Sequence, residues 1–398
     1  MTDSTSELNT AKRVIAGGTG PEVVPVANDE VDVTFAYQCG AQDGPVVMVG
    51  GFVSGGLVAR VMPRLPGSDI ASRTWRLPAD FMGTYLFWVG HQNLELPEPF
   101  EQLLPTLYSD AGKPIPDPSN PDRFVYPVDP ENPGEPMVHS ILRCPQAPPD
   151  QFAGAPMLGT LTEHRVPSRI LGDERRVWVH ESTVVPGATS PWLMVVFDGG
   201  VYAHLMHTPE IVDAMVASGE LPPMLTLYCH YVSDEARHAE LACREDFASF
   251  VVDELVPWAA ARWSFSENPA QTIVAGSSLG GLSSAWLAYR HPERFGNVLA
   301  SSPSFGWHPD NPIRTNLMAQ LWAEDGPVGV RLYVEMGLLE TGVGEDARSW
   351  YDHTQDFVAA ARSHGNHVEY QDFCGGHDYF CWQATFPRGL RSLAGLGR

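Results

Sequence analysis

Between residues 31 and 90, short runs of apolar and alternating positions are separated by Gly, Asp, Pro and Ser: VDVTFAY from Val31, VVMVGGFV from Val46, RTWRL from Arg73 and TYLFWVG from Thr84. Runs of this length and composition predict β-strands, and several in succession with turns between them predict a small Ig-like β-sandwich. Beyond residue 150 the texture changes. Apolar runs begin at Arg176 (RVWVH), Trp192 (WLMVVF), Met224 (MLTLYCH), Thr272 (TIVAG), Asn297 (NVLASS), Arg331 (RLYVEM) and His367 (HVEYQDF). Segments of helical period lie between them, among them Asp246 to Trp263 and Leu279 to Tyr289. Strands alternating with helices predict a mostly parallel, doubly wound α/β sheet.

Residues 105–149 hold 12 of the 35 prolines in 45 positions. That density excludes helix and sheet interiors and predicts an extended crossover or linker. The boundary is therefore set near residue 150, with the sandwich and its Pro-rich end over 1–150 and the α/β domain over 151–398. No internal repeat is visible.

The net charge of −23 repels nucleic acid and anionic membranes, which argues against both as partners. The apolar runs are too short to cross a bilayer and the start MTDSTSELNTAKRV lacks a hydrophobic signal core, so a cytoplasmic protein is expected. The six cysteines form no C-x-x-C pair or Cys/His cluster that would bind zinc. Free thiols are expected in a reducing compartment, with a local bridge between Cys374 and Cys381 as the alternative. Lys12 and Lys113 are the only lysines. The positive charge is thus nearly all guanidinium, which suits planar anionic oxygens or reflects a coding bias.

The chemistry concentrates in TIVAGSSLGGLSSAWLAYRHPERFG. A strand runs into Gly276-Ser277-Ser278-Leu279-Gly280 and then into a helix, the context that a G-x-S-x-G nucleophile elbow of an α/β-hydrolase requires. Ser278 is the expected nucleophile, and Ser277 occupies the x position. A serine hydroxyl needs a base, and the hydrolase order of serine, acid, histidine points toward the C-terminus. His377 lies there, on the Gly375-Gly376 loop after the run from His367 to Phe373. The acid is expected after the preceding strand, where Glu335, Glu340, Glu345 and Asp346 stand. Glu340 is the choice, because Glu335 falls at the strand's end and Glu345 and Asp346 read as the cap and first turn of the next helix. A Ser-His pair without a tight acid remains the alternative. The oxyanion needs N–H donors: Leu279 supplies one, and Gly200 or Val201 in Asp198-Gly199-Gly200-Val201 a second, unless that segment is a plain tight turn. The chemistry requires no metal and no cofactor.

These residues resemble the enterochelin (enterobactin) esterase family, hydrolases that open the serine trilactone of catecholate siderophores inside the cell. The resemblance spans nearly the whole chain. It rests on FDGGVYA, AELACREDF followed by DELVPW, the elbow with LASSPSFGW, VEMGLLE and GGHDYFCW, and in the N-terminal half on Asp117 to Pro121 and Cys144 to Pro148. It implies that Ser278 is the nucleophile, His377 the base and Glu340 the acid, acting on a small-molecule siderophore ester whose iron arrives with the substrate. It further implies that Arg237 faces an anionic ferric catecholate and that Trp307 stacks on a catechol ring. Because the net charge of −23 opposes such an anion at long range, capture is expected at a local patch of Arg237, Arg244 and His238. Alternatively, Arg237 pairs with Glu240 or Asp234 and Trp307 is a core aromatic. Family members often carry an aromatic pair where this chain has Phe305-Gly306-Trp307. A feruloyl or carbohydrate ester hydrolase on the same scaffold is the rival activity, and a siderophore binder without turnover the rival class. The oligomeric state is not fixed by the sequence.

Overall fold

The computed structural model describes residues 4–51, 60–95, 111–129, 131, 135–183, 190–309, 316–340 and 348–395. The chain forms two compact units: Met1–Pro149 with Cys374–Cys381, and Asp150–Phe373 with Trp382–Arg398. Glu345 and Asp346, weighed as acids and read as a helix cap, lie outside the described residues, as do residues 105–110, 130 and 132–134 of the Pro-rich stretch.

The first unit begins with helix α1 (Ser4–Gly17). Its strands are β1 (Glu22–Pro25), β2 (Glu30–Gln38), β3 (Asp43–Gly50), β4 (Val61–Met62), β5 (Ile70–Pro78), β6 (Met82–His91), β7 (Gly112–Ile115), β8 (Arg123–Val125) and β9 (Val138–Arg143). They make two antiparallel sheets, β1-β2-β5 and β4-β3-β6-β9-β8, with β7 also on β6. Side chains of the two sheets meet edge to face, Phe35 on Tyr85 at 5.0 Å and Tyr37 on Phe87 at 5.9 Å between centroids. The Pro-rich stretch is more than a linker, since β7, β8 and β9 lie within it. Pro114 is accommodated in β7, which pairs only with β6 among the described strands, because a strand with one neighbour needs only half its N–H groups. Asp117 accepts the Tyr85 hydroxyl and the Ser119 N–H, each at 2.8 Å, and Asn120 donates to the Ile141 carbonyl at 2.7 Å. The Asp-Pro-Ser-Asn-Pro segment is thereby a buried polar knot on β6 and β9.

The second unit is built on β10 (Thr160–Ser168), β11 (Asp173–Glu181), β12 (Trp192–Val196), β13 (Met224–Cys229), β14 (Thr272–Ser277), β15 (Asn297–Ser301), β16 (Arg331–Gly337) and β17 (His367–Phe373). Their spatial order is β10-β11-β13-β12-β14-β15-β16-β17. The β10/β11 and β11/β13 pairs are antiparallel and the rest parallel, which is the α/β-hydrolase sheet. Helices α2 (Thr208–Ala217), α3 (Asp234–Glu240), α4 (Glu245–Ser249), α5 (Val256–Ala260), α6 (Leu279–Arg290), α7 (Leu317–Glu324), α8 (Trp350–Ser363) and α9 (Tyr379–Ala394) connect the strands. The helix expected from Asp246 to Trp263 is broken by a π-helical segment, Phe250–Leu255, just before Pro257. Proline has no N–H and crowds the preceding turn, so the backbone bonds there shift register, with Val256 N–H reaching Val251 O. Val195, Val274, Leu282, Val298, Trp322 and Phe357 belong to one buried core that includes both sheet and helices. From β12 the chain turns to β13 on one side and later to β14 on the other, which makes the C-terminal ends of β12 and β14 the switch point of the sheet, where α/β folds place ligands. None of the six cysteines is in a disulfide. Among the described residues no helix is long and apolar enough to cross a membrane.

Asp213, fully buried on α2, ties both ends of the β10–β11 hairpin to that helix. It accepts N–H bonds from Leu158, Gly159 and Thr183 at 2.7–2.9 Å and lies 3.3 Å from the His180 ring. Burial pushes its carboxyl up, yet the donors of His180, Gly159 and Thr183 outweigh burial and hold it below the usual value. A folded-state pKa below the unfolded one adds stability above the unfolded value of about 3.9, which is lost as pH falls through the folded value. Asp213→Asn, whose amide cannot accept all these donors, is expected to lower the unfolding free energy by about 3 kcal/mol near neutral pH. Urea melts should show that gap narrowing below about pH 4; a gap unchanged at lower pH would contradict the assignment.

Candidate active site

Ser278 stands between β14 and α6 with φ 57° and ψ −123°, a strained conformation for a residue with a side chain. Main-chain bonds hold it there. Its N–H donates to Ser301 O at 3.0 Å, and its carbonyl accepts Ser304 N–H at 3.0 Å and Leu282 N–H at 3.1 Å. A Cβ at Gly276 would lie 2.6 Å from the Gly280 carbonyl carbon, so the turn closes only because Gly276 has no side chain. Ser277 is buried in the interior. Leu279 opens α6, so its N–H is one of those a helix leaves without an internal partner. The Ser304 hydroxyl lies 3.3 Å from that of Ser278.

The loop after β12 faces the same switch point. Asp198 has φ 55°, and its carbonyl accepts the N–H groups of Val201 (2.9 Å) and Tyr202 (3.2 Å). This commits Val201 to the turn. Gly199 is pressed against the main chain of Tyr228, where a Cβ would meet the carbonyl at 2.4 Å. Gly200 N–H makes a long 3.3 Å bond to His230 Nδ1, which assigns the proton of a neutral His230 ring to Nε2. Cys229, at the end of β13, is no rival nucleophile, because burial pushes its thiol up to about 12.

Arg237 is engaged within the protein. Its guanidinium forks onto the fully buried Asp198 carboxylate at 2.6 and 2.7 Å. The pairing differs from both sequence alternatives: Glu240 is taken by Arg175, which also binds Asp173, and Asp234 only offers its carbonyl to His238. Arg244 likewise pairs with Asp246. The two arginines of the expected patch are thus each paired with a carboxylate of this chain, Arg237 with a buried one and Arg244 with one at the surface. A Cβ at Gly280 would lie 3.5 Å from the Asp198 carboxylate, which places the Asp198–Arg237 pair against the elbow helix. Trp307 is half-buried and packs on the core of the second unit, with its N–H donating to Ser304 O.

Glu340 follows β16 and is buried. It accepts the Ser302 hydroxyl at 2.6 Å and the Gly337 N–H at 3.0 Å, and Ser302 in turn accepts the indole N–H of Trp382 at 2.9 Å. Glu335 is wholly enclosed by the hydroxyls of Ser301, Thr385 and Tyr333 and by Arg388. The cap of α8 is Ser349, reciprocated by Asp352. This replaces the expected cap at Glu345 and Asp346, since only a residue directly before the first turn reaches its N–H groups. His377 lies on the segment Cys374–Cys381, which belongs by its contacts to the first unit. There a Cβ on Gly376 would come within 2.8 Å of Gly51 O, so the histidine loop runs main chain to main chain against residue 51.

Sequence reasoning missed Ser304, Ser302, Trp382 and the role of Asp198. Asp198, Ser302 and Ser304 lie within three residues of the ends of β12 and β15, and the signal was available: residues just past the C-terminal ends of strands at a switch point are where such sheets place functional groups. Trp382 carries no local signal. Among the described residues no group of three or more His, Cys, Asp or Glu side chains is placed to hold a metal ion.

The iron(III) enterobactin esterase of Escherichia coli O6:H1 is 28% identical over 348 residues, which cover 84% of this chain and 82% of that protein. The iron(III) salmochelin esterase of the same organism is 26% identical, covering 94% of this chain and 91% of its own. The crystal structure of the Shigella flexneri enterobactin esterase in the presence of enterobactin superposes with a TM-score of 0.75 at 25% identity, over 94% of this chain and 95% of that one. The family described as putative esterase matches residues 168–393, more than half of the chain, with the elbow, the Asp198 loop and Glu340 all inside the match, and the chain belongs to that family.

Proposed function

We propose that this esterase hydrolyses the ester bonds of a catecholate siderophore, the trilactone of enterobactin or a close analogue, with Ser278 as nucleophile, His377 as general base and Glu340 as the acid that orients it. The observation that carries the proposal is Ser278 itself, a strained non-glycine residue at the switch point of an esterase-family sheet, beside a glycine loop. The similarity to iron(III) enterobactin and salmochelin esterases over more than four-fifths of the chain supports the substrate class.

In this reading Ser278 Oγ attacks the ester carbonyl as His377 takes its proton. The oxyanion is held by Leu279 N–H and by Gly200 N–H, which exchanges its long bond to His230 for a shorter one to the oxyanion. Collapse breaks the ester C–O bond, and His377 returns the proton to the departing serine hydroxyl of the lactone. Water, deprotonated by His377, then releases the acid and regenerates Ser278. Glu340 is pre-set for its role, because Ser302 and Gly337 fix its Oε1. The half-buried Trp307 offers a surface for a catechol ring. Arg237 acts through Asp198 on the oxyanion loop and does not meet the substrate's charge. The chemistry is that of an enzyme acting on imported ferric siderophore, with release of iron in the cytoplasm.

Purified enzyme is expected to convert ferric and iron-free enterobactin to dihydroxybenzoylserine products, followed by chromatography, with 4-nitrophenyl butyrate as a neutral comparison. Ser278→Ala should lower kcat on all three by about 10⁴-fold or more. An intact trilactone beside rapid cleavage of the aryl ester would remove the siderophore assignment, and undiminished turnover by Ser278→Ala would remove the nucleophile. Arg237→Ala should lower kcat/KM on ferric enterobactin and on the neutral ester by the same factor, within about threefold. A selective loss on the anionic substrate of about tenfold or more would make Arg237 a substrate ligand.

A further inference from the structure

We infer that Asp378 is a positioning residue that latches the His377 loop to strand β6 and so fixes the base. The inference rests on the catalytic reading of His377 above.

The contacts bracket His377. Upstream, Met82 N–H donates to Cys374 O at 3.1 Å; downstream, Thr84 N–H donates to Asp378 Oδ2 at 2.6 Å, and the Cys381 thiol donates to Met82 O at 3.3 Å. Met82 thus makes two of the three bonds and Thr84 the third. The other carboxylate oxygen of Asp378 accepts Phe380 N–H at 2.9 Å and caps the start of α9, which fixes the side chain from the opposite direction. The Phe380 ring lies edge-on to Phe124 at 5.5 Å and under the Arg143 guanidinium at 4.6 Å. Gly376 abuts Gly51. None of these contacts uses the imidazole.

The latch has work to do because Gly375 and Gly376 leave the loop with a large conformational entropy. A base displaced by about 1 Å from its nucleophile loses roughly two orders of magnitude in rate. One carboxylate next to the histidine, bonded at once to β6 and to α9, removes that freedom with two charge-assisted hydrogen bonds.

The test separates the latch from the cap. Asp378→Ser keeps a hydroxyl suited to capping α9 but is too short to hold Phe380 and Thr84 together. Asp378→Asn keeps the shape and one strong acceptor. With 4-nitrophenyl butyrate, folded Asp378→Ser is expected to lose roughly 10- to 100-fold in kcat with KM within about threefold, and Asp378→Asn, whose single acceptor holds only one of the two N–H groups, to recover part of the loss. His377→Ala is measured beside them. Asp378→Ser with kcat within about threefold of wild type, while His377→Ala is inactive, overturns the latch alone. A loss that Asp378→Asn does not recover and that follows the fall in Tm assigns Asp378 a merely structural role and also overturns it. Wild-type turnover by His377→Ala overturns the catalytic reading, and the latch with it.

Discussion

Three adjacent parallel strands of the catalytic sheet each end in a residue forced into positive φ: Asp198 after β12 (55°), Ser278 after β14 (57°) and Ser302 after β15 (42°). Each such residue costs on the order of 1–3 kcal/mol, and strain of this kind persists only where the surroundings over-determine it. The parallel ladder supplies that support, because Ser278 N–H bonds to Ser301 O, Ser302 N–H to Glu335 O, and Phe197 N–H, just before Asp198, to Ala275 O, so each turn is held by the neighbouring strand. The three reversed residues are all polar, and each heads a separate part of the site: the glycine loop, the elbow and the anchor of Glu340. The three parts of the candidate site thus share one constraint, repeated along the C-terminal edge of the sheet.

The same economy governs charge. The buried carboxylates Asp198, Glu335 and Glu340 are each met by a different kind of partner: a guanidinium fork, a cage of hydroxyls with an arginine at its rim, and a serine–tryptophan relay. A buried carboxylate without partners would take up a proton rather than remain charged. The arginine-rich composition is used in this way, since Arg175 and Arg237 each bind carboxylates through two nitrogens, a geometry that an ammonium cannot reproduce.

What was legible in the sequence follows the range of the interactions. The elbow, the apolar strands of the sheet and the separate N-terminal sandwich are encoded in contiguous residues, and the structure has them in the expected order. Strands β7 to β9 were hidden by proline density, because the rule against proline in sheets is weak for a strand with one neighbour. Helix α1 and strand β10 carried polar patterns that announced neither element. The partner of Arg237 lies 39 residues away and that of Glu340 38 residues away, and no periodicity specifies such pairs. The proximity of Ser304 to Ser278 was invisible for the same reason, although its place just past β15 made it a candidate.

The central claim is that Ser278 is the activated nucleophile. It is tested most directly by mixing the protein with a fluorophosphonate, which couples covalently to activated serines, and mapping the adduct by peptide mass spectrometry. One stoichiometric adduct is expected, on the peptide carrying Ser278. No adduct on the folded protein, or an adduct on Ser277, Ser304 or another residue, would contradict it.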